Sequence, residues 1–134
     1  MMTPAEMSKK WHAVALSGSE AAIADLLHED AVFESPVVHT PQRGKPITLK
    51  YLASAGKVFG DTGFHYVGEW EGKNSLILEF NAEIDGVKVD GIDMITWDNA
   101  GLITNFKVMV RPLKAVNMLH QKMGEMLLAA QSGK

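Results

Sequence analysis

Between residues 64 and 111 apolar side chains recur at about every second position, while on either side of that region they recur every third or fourth. The first spacing belongs to half-buried strands and the second to amphipathic helices. "TPAE" at residues 3–6 reads as a capping box: Thr3 caps, Pro4 takes the first helical position and Glu6 reaches back to a free amide. The helix it opens carries Met7, Trp11, Val14 and Ala15 on one face, and Gly18 is placed to stop it. Ser19 caps a second helix that presents Ile23, Leu26 and Leu27. A short strand follows in "HEDAVFESPVV", with Ala31, Phe33 and Ser35 on one side and Val32 and Glu34 on the other, ending at Pro36.

"HTPQRGKP" reads as a loop, and Pro46 opens a third helix whose buried stripe is Ile47, Tyr51, Ala55, Val58 and Phe59. "GDTG" breaks it. Four strands are predicted at about 64–71, 75–85, 87–98 and 102–111, joined by turns at "EGKN", Asp85-Gly86 and "DNAG". Sequential strands with turns this short form an antiparallel meander. Pro112 ends the last strand, and a closing helix turns Leu113, Val116, Leu119 or His120, Met123 and Leu127 inward. The order predicts a single α+β domain over residues 1–134, with no repeat or linker.

Composition narrows the function classes. At 134 residues, 46% hydrophobic and 22% charged, the chain can bury one core. A net charge of −3 with no run of lysines and arginines argues against nucleic acid as a partner. The absence of cysteine removes thiol catalysis and thiolate metal sites. No stretch approaches the roughly 18 apolar residues of a membrane span, and "MMTPAEMSKKW" lacks an apolar signal segment, so a cytoplasmic address is expected. The five histidines never take the i, i+4 spacing of a helical zinc site, and neither a metal nor a cofactor is expected.

One residue breaks the strand pattern. In "VDGIDMITWDNAGLITNF" strict alternation puts Val89, Gly91, Asp93, Ile95 and Trp97 on one face, so Asp93 lies among apolar neighbours. A buried carboxylate has to be paired, hydrogen-bonded or protonated, because an isolated buried charge costs several kcal/mol or more. Asp93 is therefore either a structural anchor or an acid/base group. On the preceding strand Leu76, Leu78, Phe80, Ala82 and Ile84 share one face, and Glu79, Asn81 and Glu83 share the other. A face of Glu, Asn and Glu is either wet or paired across a homodimer.

The stretches "LLHEDAVFESP", "RGKPIT", "GIDMITWDNAGLITNF" and "VMVRPL" resemble the nuclear transport factor 2-like superfamily, and the SnoaL-like branch most of all, over about residues 7–128. The resemblance implies a cone-shaped fold: a curved mixed or antiparallel sheet wrapped around the N-terminal helices, with a C-terminal helix and an apolar pocket inside. It places Trp11, Phe33, Ser35, Tyr51, Leu78, Phe80, Asp93, Phe106, Val108 and Val110 toward that pocket. Of these, Trp11, Phe33, Ser35, Tyr51, Phe80, Phe106 and Val108 are the expected contacts for a small apolar or aromatic ligand, with Asp93 as the catalytic candidate.

Asp93 falls where ketosteroid isomerases, relatives in that fold, place a protonated aspartate that donates to the developing oxyanion. The base of those enzymes falls at Ser35, which cannot abstract a carbon-bound proton unaided, and their tyrosine falls near Trp11, which has no proton to transfer usefully. The limonene epoxide hydrolase arrangement of two carboxylates and an arginine is also unmatched, since Glu79 and Asn81 stand at its positions on the wet face and Val108 at its last acid. A SnoaL-like isomerase, cyclase or dehydratase needs only one acid/base aspartate and an apolar pocket, which Asp93 can supply. The alternative is a non-catalytic binding or interaction domain that forms a homodimer through the outer sheet face. His39 in the loop and Arg111 on the outer face are read as a solvated residue and an ion-pair partner.

Overall fold

The computed structural model describes residues 2–132. Its elements run α1 (Pro4–Ser17), α2 (Glu20–Leu26), β1 (Leu27–Glu34), β2 (Gln42–Arg43), α3 (Lys45–Phe59), β3 (His65–Glu71), β4 (Ser75–Ile84), β5 (Val87–Trp97), β6 (Ile103–Arg111) and α4 (Leu113–Ser132). The strands make one curved, unclosed sheet in the order β2-β1-β6-β5-β4-β3. Strands β3 to β6 form the expected antiparallel meander, and β1 joins it parallel to β6. The fold is the mixed α+β cone that the resemblance implies.

The local signals act as read. The Thr3 amide donates to Glu6 Oε1 at 2.8 Å and the Glu6 amide to Thr3 Oγ1 at 3.2 Å, while Gly18 closes α1 with φ of 66°, a backbone that favours glycine. Asp98 Oδ1 accepts from the amides of Ala100 and Leu102, both at 3.0 Å, and so builds the β5–β6 turn. Thr48, fully buried, donates to the Ala31 carbonyl at 3.1 Å and ties α3 to β1.

Three expectations need correction. Gln42 and Arg43 are not loop but a short edge strand pairing with Phe33 and Val32; two residues carry no period that a pattern could reveal. Leu27 belongs to β1 rather than to α2, because the strand starts without a linker. On α4 Leu119 and Met123 turn inward as expected, joined by Ala115, Met118 and Met126, but Leu113 is exposed. The helix starts at Leu113, two residues before the buried Ala115.

Two apolar clusters fill the cone. One gathers Met7, Trp11, Phe33, Leu78, Ile95 and Phe106 among others under α1 and α2. The other joins Val58, Phe80, Val89, Ala115 and Leu119 under α4. Burial of a large apolar side chain contributes roughly 1.5–3 kcal/mol, so these clusters dominate the stability of the fold. Tyr66 and Val108 pack against both clusters.

Candidate functional site

Asp93 lies where the two clusters meet. The inner face of β5 is Val89, Gly91, Asp93, Ile95 and Trp97, all buried, as alternation predicts. Asp93 is paired with Leu78 of β4 on one side and Val108 of β6 on the other, and is 7% exposed. Tyr66 of β3 donates its hydroxyl to Asp93 Oδ2 at 2.7 Å, and Trp11 of α1 donates its indole N–H to the Tyr66 oxygen at 2.9 Å. An indole can only donate, so the Tyr66 oxygen accepts there and its proton is directed at Asp93. The chain of hydrogen bonds therefore runs one way, Trp11 to Tyr66 to Asp93.

This direction fixes the work of each carboxyl oxygen. Oδ2 is an acceptor. Oδ1 has no protein partner among the described residues, and no fully buried side-chain oxygen or nitrogen among them lacks one, so Oδ1 is the oxygen open to the cavity. Burial pushes the Asp93 carboxyl from its ordinary 3.8 up to about 7, against a smaller lowering by the Tyr66 hydrogen bond. Burial, reinforced by the Asp93 charge, holds the Tyr66 hydroxyl far above the usual phenol range, so Tyr66 stays a donor. The result is one carboxyl that changes protonation near neutrality, with its proton on Oδ1.

The cavity in front of Asp93 has a volume of about 410 Å³, within the usual span for small-molecule sites. Trp11, Phe33 and Phe106 form one aromatic wall, with Trp11 and Phe106 centroids 5.0 Å apart. Phe59, Phe64, Phe80 and Tyr66 form the other, and the Phe64 and Phe80 rings are 4.8 Å apart. Glu20 and Lys57, both exposed, also border the cavity.

Of the residues expected at the pocket, Trp11, Phe33, Ser35, Phe80, Asp93, Phe106 and Val108 all line the cavity. Tyr51 does not. It stacks on Phe33 with centroids 5.1 Å apart, because α3 turns Leu52, Ala55, Gly56 and Phe59 to the cavity and Tyr51 sits about 100° from Leu52 around the helix. Leu78 and Val110 share the inner face but are packed into the two clusters rather than onto the cavity. The Ser35 hydroxyl accepts from the Val37 amide at 3.1 Å and shapes the turn after β1. Arg111 pairs with Asp90 at 3.2 Å, and Glu34 with Lys107 at 3.8 Å, as outer-face ion pairs.

Tyr66 was not among the expected site residues. It faces inward because β3 carries a bulge between Tyr66 and Gly68, and an added residue shifts the face of everything beyond it. Past the bulge it is Glu69 that turns toward α1, where Ser8 donates to it at 2.6 Å. That contact seats α1 on β3 and brings Trp11, about one turn further on, over Tyr66.

Residues 9–106 match the model of the SnoaL-like domain. The structure is similar to that of a steroid delta-isomerase from Pseudomonas aeruginosa, at 34% identity over 96% of this chain and 94% of that one with a TM-score of 0.89. It is also similar to an uncharacterised bacterial protein with a cystatin-like fold from Silicibacter pomeroyi, at 29% identity over 89% and 83% with a TM-score of 0.81. At 18% identity, over 82% and 92% with a TM-score of 0.67, the epoxide hydrolase/cyclase-like enzyme SalBIII shares the fold. No functionally curated protein sequence matches the chain. With the family model covering most of its helices and strands, the chain belongs to the SnoaL-like domain family, within the nuclear transport factor 2-like fold.

Proposed function

We propose that this protein binds a small apolar or aromatic molecule bearing one oxygen function, and isomerises, cyclises or dehydrates it with Asp93 as the acid/base. The observation that carries this reading is the Asp93 carboxyl, held near a pKa of 7 at the wall of an apolar cavity with one oxygen bound and one free. A group whose pKa matches the working pH is the most effective proton carrier. Below that pKa, Oδ1–H donates to a carbonyl or hydroxyl oxygen; above it, the carboxylate accepts a proton from carbon. The likeness to a protein named steroid delta-isomerase supports isomerase-type chemistry. Ser35, at the position where the resemblance would put a second carboxylate, leaves Asp93 to work alone and argues against ordinary ketosteroid isomerisation.

Hydrogen–deuterium exchange at the α-carbon of 2-tetralone in D₂O, followed by NMR, tests the reading. The wild-type protein should accelerate the exchange, with a rate that rises as the pH passes 7 and collapses in Asp93→Asn. The alternative, a binding domain without chemistry, predicts that 2-naphthol binds in the cavity while exchange proceeds at the buffer rate.

A homodimer through the outer sheet face is part of the same reading. Across the ladders, Trp70, Ile77, Met94, Lys107 and Glu34 form one outer row, and Glu79, Ile92 and Met109 another. Trp70 is 55% and Met109 48% exposed. Exposed apolar side chains bordered by charges of both signs, Glu34, Glu79, Asp90, Lys107 and Arg111, suit a self-complementary contact with a second copy, in which an acid of one copy can meet a base of the other. Glu79 hydrogen-bonds Asp90, which raises the Glu79 carboxyl and lowers that of Asp90. Trp70→Lys or Met109→Lys should each raise the dimer dissociation constant roughly tenfold or more. A wild-type chain that sediments as a monomer would dismiss the dimer.

A further inference from the structure

Gly91 leaves a gap in the inner face of β5, two residues from Asp93. It pairs directly with Phe80, and the Phe80 ring lies down over the gap. A Cβ built at Gly91 would stand 2.9 Å from Phe80 Cε2, closer still to Cζ, and 2.9 Å from the Met109 carbonyl oxygen. Carbon atoms in ordinary contact are about 3.5–4.0 Å apart, so any side chain at 91 would force the ring to retreat by something on the order of 1 Å. The Met109 carbonyl belongs to a strand paired along its length and has little freedom to move. Phe59 meets the ring edge-on with centroids 5.4 Å apart, and Phe64 lies within 30° of parallel to it at 4.8 Å. Phe80, Phe59 and Phe64 all line the cavity, so a displaced Phe80 ring takes its room from the cavity.

We propose that Gly91 is a specificity-determining residue: by leaving the place of a Cβ to the tip of the Phe80 ring, it sets how large a ring system fits beside Asp93. Phe80 is also the cross-strand partner of Tyr66, so a raised ring would crowd the very space in front of the Asp93 carboxyl. The inference rests on the reading that the cavity holds a ligand. It adds that the size limit is set from beneath, by a residue that does not itself line the cavity.

The test measures binding of phenol, 2-naphthol and 9-phenanthrol, which carry one hydroxyl on one, two and three fused rings, by calorimetry or fluorescence. One methylene of misfit in an apolar site is worth about 10–200-fold, so Gly91→Ala should weaken 9-phenanthrol by at least about tenfold while phenol changes by less than about threefold. Gly91→Ala combined with Phe80→Leu should restore 9-phenanthrol, because the shorter side chain frees the space. Should Gly91→Ala alone fail to fold, Phe80→Leu still decides, with a preference for 9-phenanthrol over phenol that rises about tenfold over wild type. An unchanged ratio between the two phenols in these variants overturns the role of Gly91 and leaves the ligand reading intact. A wild-type protein that binds none of the three overturns both.

Discussion

Asp93→Asn is expected to make the protein more stable at pH 8 and to leave its stability almost unchanged at pH 4. The unfolded chain releases the Asp93 proton near 3.8 and the folded chain near 7. Between those values the folded state holds one more proton than the unfolded state, so this residue makes stability fall as pH rises. The loss starts near pH 4, is complete just above 7, and amounts at most to roughly 4 kcal/mol at 1.36 kcal/mol per pKa unit. An asparagine keeps the shape, its amide oxygen still accepts from Tyr66, and it has no charge to bury. Thermal melts of the two proteins across pH should therefore coincide near pH 4 and separate progressively to pH 8. If Asp93 were a tether whose charge stabilises the fold, the variant would instead be the weaker protein above pH 4. The same substitution should abolish proton transfer, so stability gained and activity lost would come from one site.

Tyr66→Phe should do the reverse to stability. It removes the hydrogen bond on Asp93 Oδ2 and leaves the Trp11 indole N–H facing an apolar ring. An unsatisfied buried donor costs about 1–3 kcal/mol, and the lost bond adds to it. For a chain of this size the melting temperature should fall on the order of 5–10 °C at pH 4, where Asp93 is largely neutral. The Tyr66 hydrogen bond is the contribution that lowers the Asp93 pKa, so the variant should titrate Asp93 above 7. A merely packing role for Tyr66 would leave that midpoint unmoved. Because the three side chains act as one chain, Trp11→Phe together with Tyr66→Phe should cost less than the sum of the separate changes.

The fold was legible because its period changes coincide with strong caps and turns. Thr3, Ser19, Gly18 and Asp98 mark boundaries through hydrogen bonds made to their own neighbours. Such signals do not depend on the rest of the molecule. Alternation alone also placed Asp93 inside, since β5 runs without a bulge from Val87 to Thr96. Tyr66 was illegible for the opposite reason. Counting back from the β3–β4 turn pairs Val67 with Phe80 and turns Tyr66 outward with Asn81; the bulge moves Tyr66 opposite Phe80. Gly68 is the local hint, because glycine inside a strand often marks a bulge. Tyr51 misled for a simpler reason: an apolar helical stripe is wide enough to serve both a core and a cavity. Only the rotation of α3 against β1 decides that Tyr51 packs on Phe33 and stays out of the cavity lining. Ser35, read as the missing base, lines the cavity with its hydroxyl committed to the following turn.

These consequences depend on the state of one proton. A carbon-detected NMR titration of the Asp93 carboxyl, assigned by its disappearance in Asp93→Asn, reads that state directly. The expected midpoint is near 7, shifted when 2-naphthol occupies the cavity. A midpoint near the ordinary 3.8, indifferent to 2-naphthol, would contradict it.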